Sequence, residues 1–372
     1  MRCLLAVAVA VAAAAAGSAS AAPTCSGEDT VRFRGGTVRV ENDRATGTDQ
    51  NYTSGVGLAL VSHDLAGALR RECLPAPLRL HASLIGMASP GFWAPAHEGA
   101  THNAVVKFGQ AMYTPRDFSR TDLILDDRPY AGLLYLGLSW NRRGRDASGD
   151  VETLDTREVT LGVIGPLSLA RQTQDLVHHL IGVERFRGWD HQLKNEPALQ
   201  LAFDRKYRDG RGGRAIVPGL SADTIRSVGV RLGNIETSAA AGVEGRIGWN
   251  LPNDFGSYPI RPGAENRPPS GAARQERASA QGFAGPAGAH LFAALETRLV
   301  LHDFSLDGNL FRSSHSVARR PLVAQGVLGI GVHGLIAGHG FRLALMRVKR
   351  SREFEQQGPS HSYTAAALSV DL

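Results

Sequence analysis

Several common solutions are missing from this chain, and each absence narrows what it can be. It holds three cysteines with no CxxC and no paired Cys/His spacing, which excludes a thiolate metal centre. No G-x-S-x-G occurs, so the serine nucleophile of an α/β-hydrolase elbow has no support. No oxygen-ligand spacing of the regular Ca²⁺-loop type is present. Past the first residues no apolar run reaches about eighteen residues, which excludes a helical membrane span but leaves a membrane β-barrel open.

The start of the chain is a targeting segment rather than a fold element. Met1-Arg2-Cys3-Leu4 leads into an alanine/valine run to Ala16, and Ala19-Ser20-Ala21 fits the small-x-small cleavage rule. The expected organisation is therefore a signal peptide over 1–21 and a single domain over 22–372. Export allows Cys25 and Cys73 to pair, with two free thiols as the alternative. The net charge of +6 is spread through arginine-bearing loops rather than gathered in one block, and export argues against nucleic acid as a partner.

What the chain does contain is alternation. Val56, Leu58 and Leu60 alternate with Gly57 and Ala59, and Leu134, Leu136, Leu138 and Trp140 alternate with Tyr135, Gly137 and Ser139. Leu199, Leu201 and Phe203, then Leu291, Ala293 and Leu295, then Thr364, Ala366, Leu368 and Val370 repeat the pattern. A period of two gives one apolar and one polar or small face. About a dozen such segments occur, and strands of roughly 9–11 residues suit a tilted transmembrane barrel. A soluble two-sheet sandwich gives the same alternation with its faces reversed. Export, an even dozen and a strand as the last segment favour the barrel. The Pro/Gly/Ala/Arg-dense stretch 252–288 reads as a long surface loop.

One segment breaks the alternation. The segment from Gly165 to Glu184 reads as a polar-faced helix with Gln174 and His178 four residues apart, hence on one face, and with Glu184 just past its end. Neighbours on a helix are separated by roughly 100°, so His178 shares Gln174's face and His179 does not. A histidine is a general base near neutral pH, and hard oxygen donors such as Asn42-Asp43, Thr53 and Glu184 suit a cation of the Ca²⁺ type. These residue types also serve in ordinary turns and helix faces. Asp126-Asp127-Arg128-Pro129 reads as a turn with a local ion pair, and Ser62-His63-Asp64 as a chance adjacency of triad residue types.

An ordered set of motifs resembles the LpxR-type lipid A deacylases. It comprises Glu41-Asn42-Asp43, Thr48 through Gly55, Asp126-Asp127-Arg128-Pro129-Tyr130-Ala131-Gly132, Gly162 through Pro166, Gln174-x-x-x-His178-x-x-Ile181-Gly182 and Trp189-Asp190-His191-Gln192-Leu193. The resemblance implies an all-β fold, a twelve-stranded antiparallel outer-membrane β-barrel with a short helix carrying the catalytic histidine. It implies a Ca²⁺-dependent ester hydrolase that removes the 3′-linked acyloxyacyl chain of lipid A in lipopolysaccharide, acting as a monomer among outer-membrane lipids. Carried over by position, His178 is the general base, with Gln174 and Asn42 lining the site. Asp43, Thr53 and Glu184 are the metal residues, and Arg120, placed after Tyr113-Thr114-Pro115, is the basic group of the oxyanion site. The competing expectations are an outer-membrane phospholipase, a catalytically silent barrel serving as pore or scaffold, and a soluble periplasmic sandwich.

Overall fold

A computed structural model describes residues 25, 30–42, 51–66, 70–93, 100–145, 150–209, 214–257 and 287–371, with backbone alone at 51–53, 66, 209 and 214. Twelve long strands form the wall among the described residues. In chain order they are β1 (Phe33–Asn42), β2 (Asn51–Ser62), β3 (Thr101–Thr114), β4 (Ala131–Arg145), β5 (Val151–Ile164) and β6 (Glu196–Asp209). They continue with β7 (Leu220–Gly233), β8 (Glu236–Trp249), β9 (Gly288–Asp303), β10 (Leu322–Ile336), β11 (His339–Arg350) and β12 (His361–Asp371). Each pairs antiparallel with the next, and β12 returns to β1, so that Val38 lies opposite both Leu58 and Leu368. Short strands Leu65–Ala66 and Arg214–Val217 extend two of the turns. Closure removes the sheet edge and pairs the backbone within the wall, which is what a strand-built membrane span requires.

The direction of the alternation decides between barrel and sandwich. Leu291, Leu295, Leu299 and Leu301 point outward and are exposed, while Phe292, Glu296, Arg298 and Val300 between them are buried. Ion pairs run through the interior, among them Arg39–Glu41 (3.0 Å), Lys107–Glu158, Arg143–Glu152 (2.6 Å) and Arg298–Glu236 (3.2 Å). Apolar residues outside and paired charges inside are the faces of a membrane barrel.

Two parts of the chain depart from the sequence expectation. The first residues of the 252–288 stretch are not a surface loop but turn into the lumen, with Asp254 and Phe255 buried. Asp254 meets Arg246 at 2.5 Å and also Arg342, while Arg208 donates to the Asp254 carbonyl and the Asn253 side chain, both at 2.8 Å. Burial alone would raise this carboxyl, but Arg342, Arg246 and Arg208 hold it down to about 2. Residues 258–286 lie outside the described residues, as does the expected signal segment 1–21. At the other rim, Arg128 forms no local pair. It is fully buried and reaches Glu353, 225 residues on, at 2.9 Å.

Two helices of more than one turn are described, α1 (Ala76–Ala88) and α2 (Ala170–Ile181). Cys25 is disulfide-bonded to Cys73, three residues before α1, which resolves the open thiol question. Both helices lie on the outer surface of the β3–β4 wall, at opposite rims. Phe108 and Leu136 mark the outward parity of these strands, and the even-numbered residues around them are the ones the helices cover. Leu78, Ala82 and Ile85 of α1 pack with Ala104 and Trp140, and Ala170 of α2 packs with Met112.

Candidate active site

Helix α2 is delimited by backbone chemistry legible in its residues. Before it, Gly165 has φ +93°, and a Cβ there would stand 2.6 Å from the Lys194 carbonyl. After it, Gly182 has φ +70°, with its N–H directed to His179 O (3.4 Å) and the Val183 N–H donating to His178 O at 2.8 Å. That is the Schellman arrangement, which satisfies the last carbonyls and reverses the chain. The reversal has a chemical result: it brings the Glu184 carbonyl oxygen to 2.6 Å from His178 Nδ1.

The seat of the helix on the barrel depends on a missing side chain. A Cβ on Gly132 of β4 would fall 2.2 Å from Ser168 Oγ and 2.5 Å from the Ala170 Cβ. Glycine therefore permits the helix start to lie directly on the outer wall. Gln110 of β3 anchors the same point by donating from Nε2 to Ser168 O at 2.6 Å. Arg171 closes the outer side through Asp190 at 2.7 Å.

Of the α2 side chains, Ala170, Gln174 and His178 are buried, Ala170 against Met112 of the wall, whereas His179 is exposed. The helix thus presents the expected pair inward. The Trp189 indole N–H donates to Gln174 Oε1 at 2.6 Å, and the Trp189 ring packs on Tyr130 with centroids 5.0 Å apart. This fixes the carboxamide orientation, leaving Gln174 Nε2 buried without a hydrogen-bond partner among the described residues. The His178 ring stands 5.5 Å from that of Phe186, which in turn meets Phe118 edge-on. Because a carbonyl oxygen can only accept, the short contact to Glu184 O assigns a proton to His178 Nδ1, so that in the neutral ring the lone pair is on Nε2.

The other expected residues fall at several places. Asn42 closes β1 on the outward parity of Val38 and Val40 and pairs with Ser54 of β2, which pairs in turn with Met112 beneath α2. Thr53 occupies the position at which β2 slips register against β3, a bulge of the kind that re-aims residues beside functional sites. Asp43 lies outside the described residues. Glu184 contributes its carbonyl to His178, and its side chain is exposed. Arg120 is exposed in the β3–β4 loop, where its Nε donates to Asp122 Oδ1 at 3.0 Å and no hydrogen bond to α2 is formed among the described residues. Among the described residues no three His, Cys, Asp or Glu side chains converge on one point. The Ser62-His63-Asp64 run is no triad, since the Ser62 hydroxyl donates to His63 O at 2.8 Å.

Three contributors escaped the sequence reading. Trp189 stood inside a quoted motif without a role, and its aromatic N–H, in a segment otherwise rich in charge, was the available signal. Gly132 likewise stood in a quoted motif without a role and Gln110 in none, because their part depends on which strand face the helix covers.

A family model described as Outer membrane protein LpxR matches residues 3–372. Among solved structures, LpxR from Salmonella typhimurium superposes with a TM-score of 0.62 at 17% identity, covering 90% of this chain and 99% of that one. The β domain of the Bordetella autotransporter BrkA gives a TM-score of 0.43 at 8% identity, covering 92% of this chain and 100% of that one. A search of curated proteins found no match. The solved LpxR structure shares the barrel fold, and the family match spans nearly the whole length: the chain belongs to the LpxR family of outer-membrane proteins.

Proposed function

We propose that this protein is a lipid A 3′-O-deacylase, an ester hydrolase that removes the 3′-linked acyloxyacyl chain by His178-activated water. The observation that carries the reading is the 2.6 Å contact from His178 Nδ1 to the Glu184 carbonyl, on a helix that lies over the outward face of the wall. An imidazole whose tautomer is fixed this way has Nε2 as its basic nitrogen. Nε2 takes a proton from water while the water oxygen adds to the ester carbonyl carbon. The tetrahedral intermediate then breaks its bond to the sugar 3-oxygen, which leaves with the proton that His178 returns. The fatty acyl group departs as a carboxylic acid.

Gln174 has the orientation of an amide donor to the developing oxyanion, because Trp189 occupies its oxygen. Asn42, at the rim of β1 on the same outward face, is a second donor. The expected cation ligands Asp43, Thr53 and Glu184 offer oxygen atoms alone, a set that fits a hard cation. Ca²⁺ held there would supply positive charge beside the oxyanion. The role assigned to Arg120 requires its pair with Asp122 to open when substrate binds.

Mass spectrometry of lipid A from cells expressing the chain, with and without a calcium chelator, tests the reading. Calcium-dependent loss of the 3′-acyloxyacyl mass is expected, and none from the His178→Ala variant. Unchanged lipid A with altered glycerophospholipid would replace the reading with a phospholipase.

A further inference from the structure

The outward apolar surface is uneven around the barrel. On β9 the outward residues stay exposed from Leu291 to Leu301. Ten intervals at about 3.3 Å each, tilted by about 40°, give a height of about 25 Å, the apolar band a membrane barrel needs. On β3 Phe108 is exposed and Val106 and Gln110 half-buried over the four intervals from 106 to 110, with His102 and Ala104 buried toward one rim and Met112 buried toward the other. Those four intervals amount to about 10 Å by the same geometry. Bare wall on this side is therefore less than half the required height.

The missing height coincides with the two helices, and each is three-sided. On α2 the buried side carries Ala170, Gln174 and His178, and a second side carries Arg171, Asp175 and His179. The third carries Leu176, Val177 and Leu180, exposed by 59, 44 and 73%. On α1 the wall takes Leu78, His81, Ala82 and Ile85, while Leu80, Leu84 and Met87 form an exposed apolar stripe beside Arg79 and Ser83. A helix with an apolar stripe that no protein covers and a polar stripe beside it is the pattern of one lying in a membrane interface.

Continuity identifies what covers the stripes. Leu58, Phe108, Leu136, Leu161 and Leu199 form one cross-strand row of exposed outward residues over β2 to β6. The seat of α2, at Met112 and Gly132, begins four residues from that row, about 10 Å along the wall. The seat of α1, at Ala104 and Trp140, begins four residues away on the other side.

We propose that α1 and α2 are interfacial membrane helices, their Leu80/Leu84/Met87 and Leu176/Val177/Leu180 flanks seated among lipid acyl chains to complete the apolar belt over β3 and β4. Full-length protein in phosphatidylcholine vesicles, labelled at single introduced cysteines with an environment-sensitive fluorophore, tests this. The Cys25–Cys73 disulfide stays unreactive, and Cys3→Ser in every variant removes the remaining thiol. Leu84→Cys and Leu180→Cys should be quenched by chain-borne nitroxide lipid to within about twofold of the wall position Leu295→Cys, and protected from iodide. Arg79→Cys and His179→Cys should show the reverse. Leu80→Cys and Val177→Cys replace any variant that loses the heat-modifiable mobility of a folded barrel. Iodide access at 84 or 180 equal to that at 79 or 179 would overturn the proposal, because a flank in water or under a soluble partner is not in lipid. None of these readouts depends on hydrolysis.

Discussion

The segment 251–257 and helix α2 both fold back onto the same barrel, one inside the wall and one outside, and they are held in opposite ways. In the lumen, Asp254, Asn253 and the backbone of Phe255 and Gly256 receive hydrogen bonds from Arg208, Arg246, Arg342, Arg143 and Lys206, side chains of β4, β6, β8 and β11. Its charges are matched to one another. Helix α2 is instead seated through Gly132, Ala170 and one Gln110 hydrogen bond, and it keeps a buried amide donor, Gln174 Nε2, without a partner among the described residues. Inside, even the donor left without a hydrogen bond, Arg208 Nε, stands 3.3 Å from the Asp223 carboxylate. Charge pairing in several directions stabilises the inner arrangement, whereas the outer helix rests on close packing and few polar contacts.

Replacements on either side separate these roles, with the largest effects outside. His178→Ala should lower the rate of lipid A deacylation by about 10²–10⁴-fold, as loss of a general base does, while heat-modifiable mobility on gels stays that of the parent. Gly132→Val should come next. Its side chain would occupy the place of Ser168 Oγ, lifting α2 and reducing deacylation at least tenfold in the same mass-spectrometric assay, with the barrel intact. A Gly132→Val protein of normal activity would show that α2 need not rest on the wall.

Inside, Asp254→Ala should act on stability and leave the deacylation rate unchanged. It removes a carboxylate shared by three buried arginines, of which Arg246 and Arg208 keep Asp223 and Arg342 loses its ion pair, a loss of about 3–5 kcal/mol for a broken buried pair, read by urea unfolding in detergent. A rate that falls with it would join the two regions that the contacts keep apart. Glu353 gives the pH counterpart. Burial pushes its carboxyl up, but Arg350 and Arg128 prevail and hold it at about 2, below the ordinary 4.5. A carboxyl depressed in the folded state stabilises above pH 4.5 and loses that contribution as pH falls toward 2, about 3 kcal/mol in all. The acid limb of the unfolding curve should flatten in Glu353→Gln. The smallest expected change is Trp189→Phe, which keeps the ring against Tyr130 and removes the N–H to Gln174. It should lower kcat about threefold to tenfold with KM nearly constant, the mark of a misoriented donor rather than lost binding.

Local features of the chain determined a good deal. Alternation located the strands, and the i, i+4 spacing placed Gln174 and His178 on one helix face, which the structure buries together. Glycine at 182 stood in a motif without a stated role, and it ends the helix because the left-handed residue of a Schellman turn disfavours a Cβ. These are properties of neighbours in sequence, governed by periods of 2 and 3.6 residues. Tertiary structure decided what such periods cannot carry. Which face of each strand meets lipid depended on closure of β12 onto β1, and the partner of Arg128 depended on bringing Glu353 across the rim. That α2 lies outside the wall rather than within it followed from Gly132 having no side chain where Ser168 and Ala170 sit. Alternation labels two faces of a strand without saying which is inside, and a missing Cβ acquires meaning only when another element occupies its place.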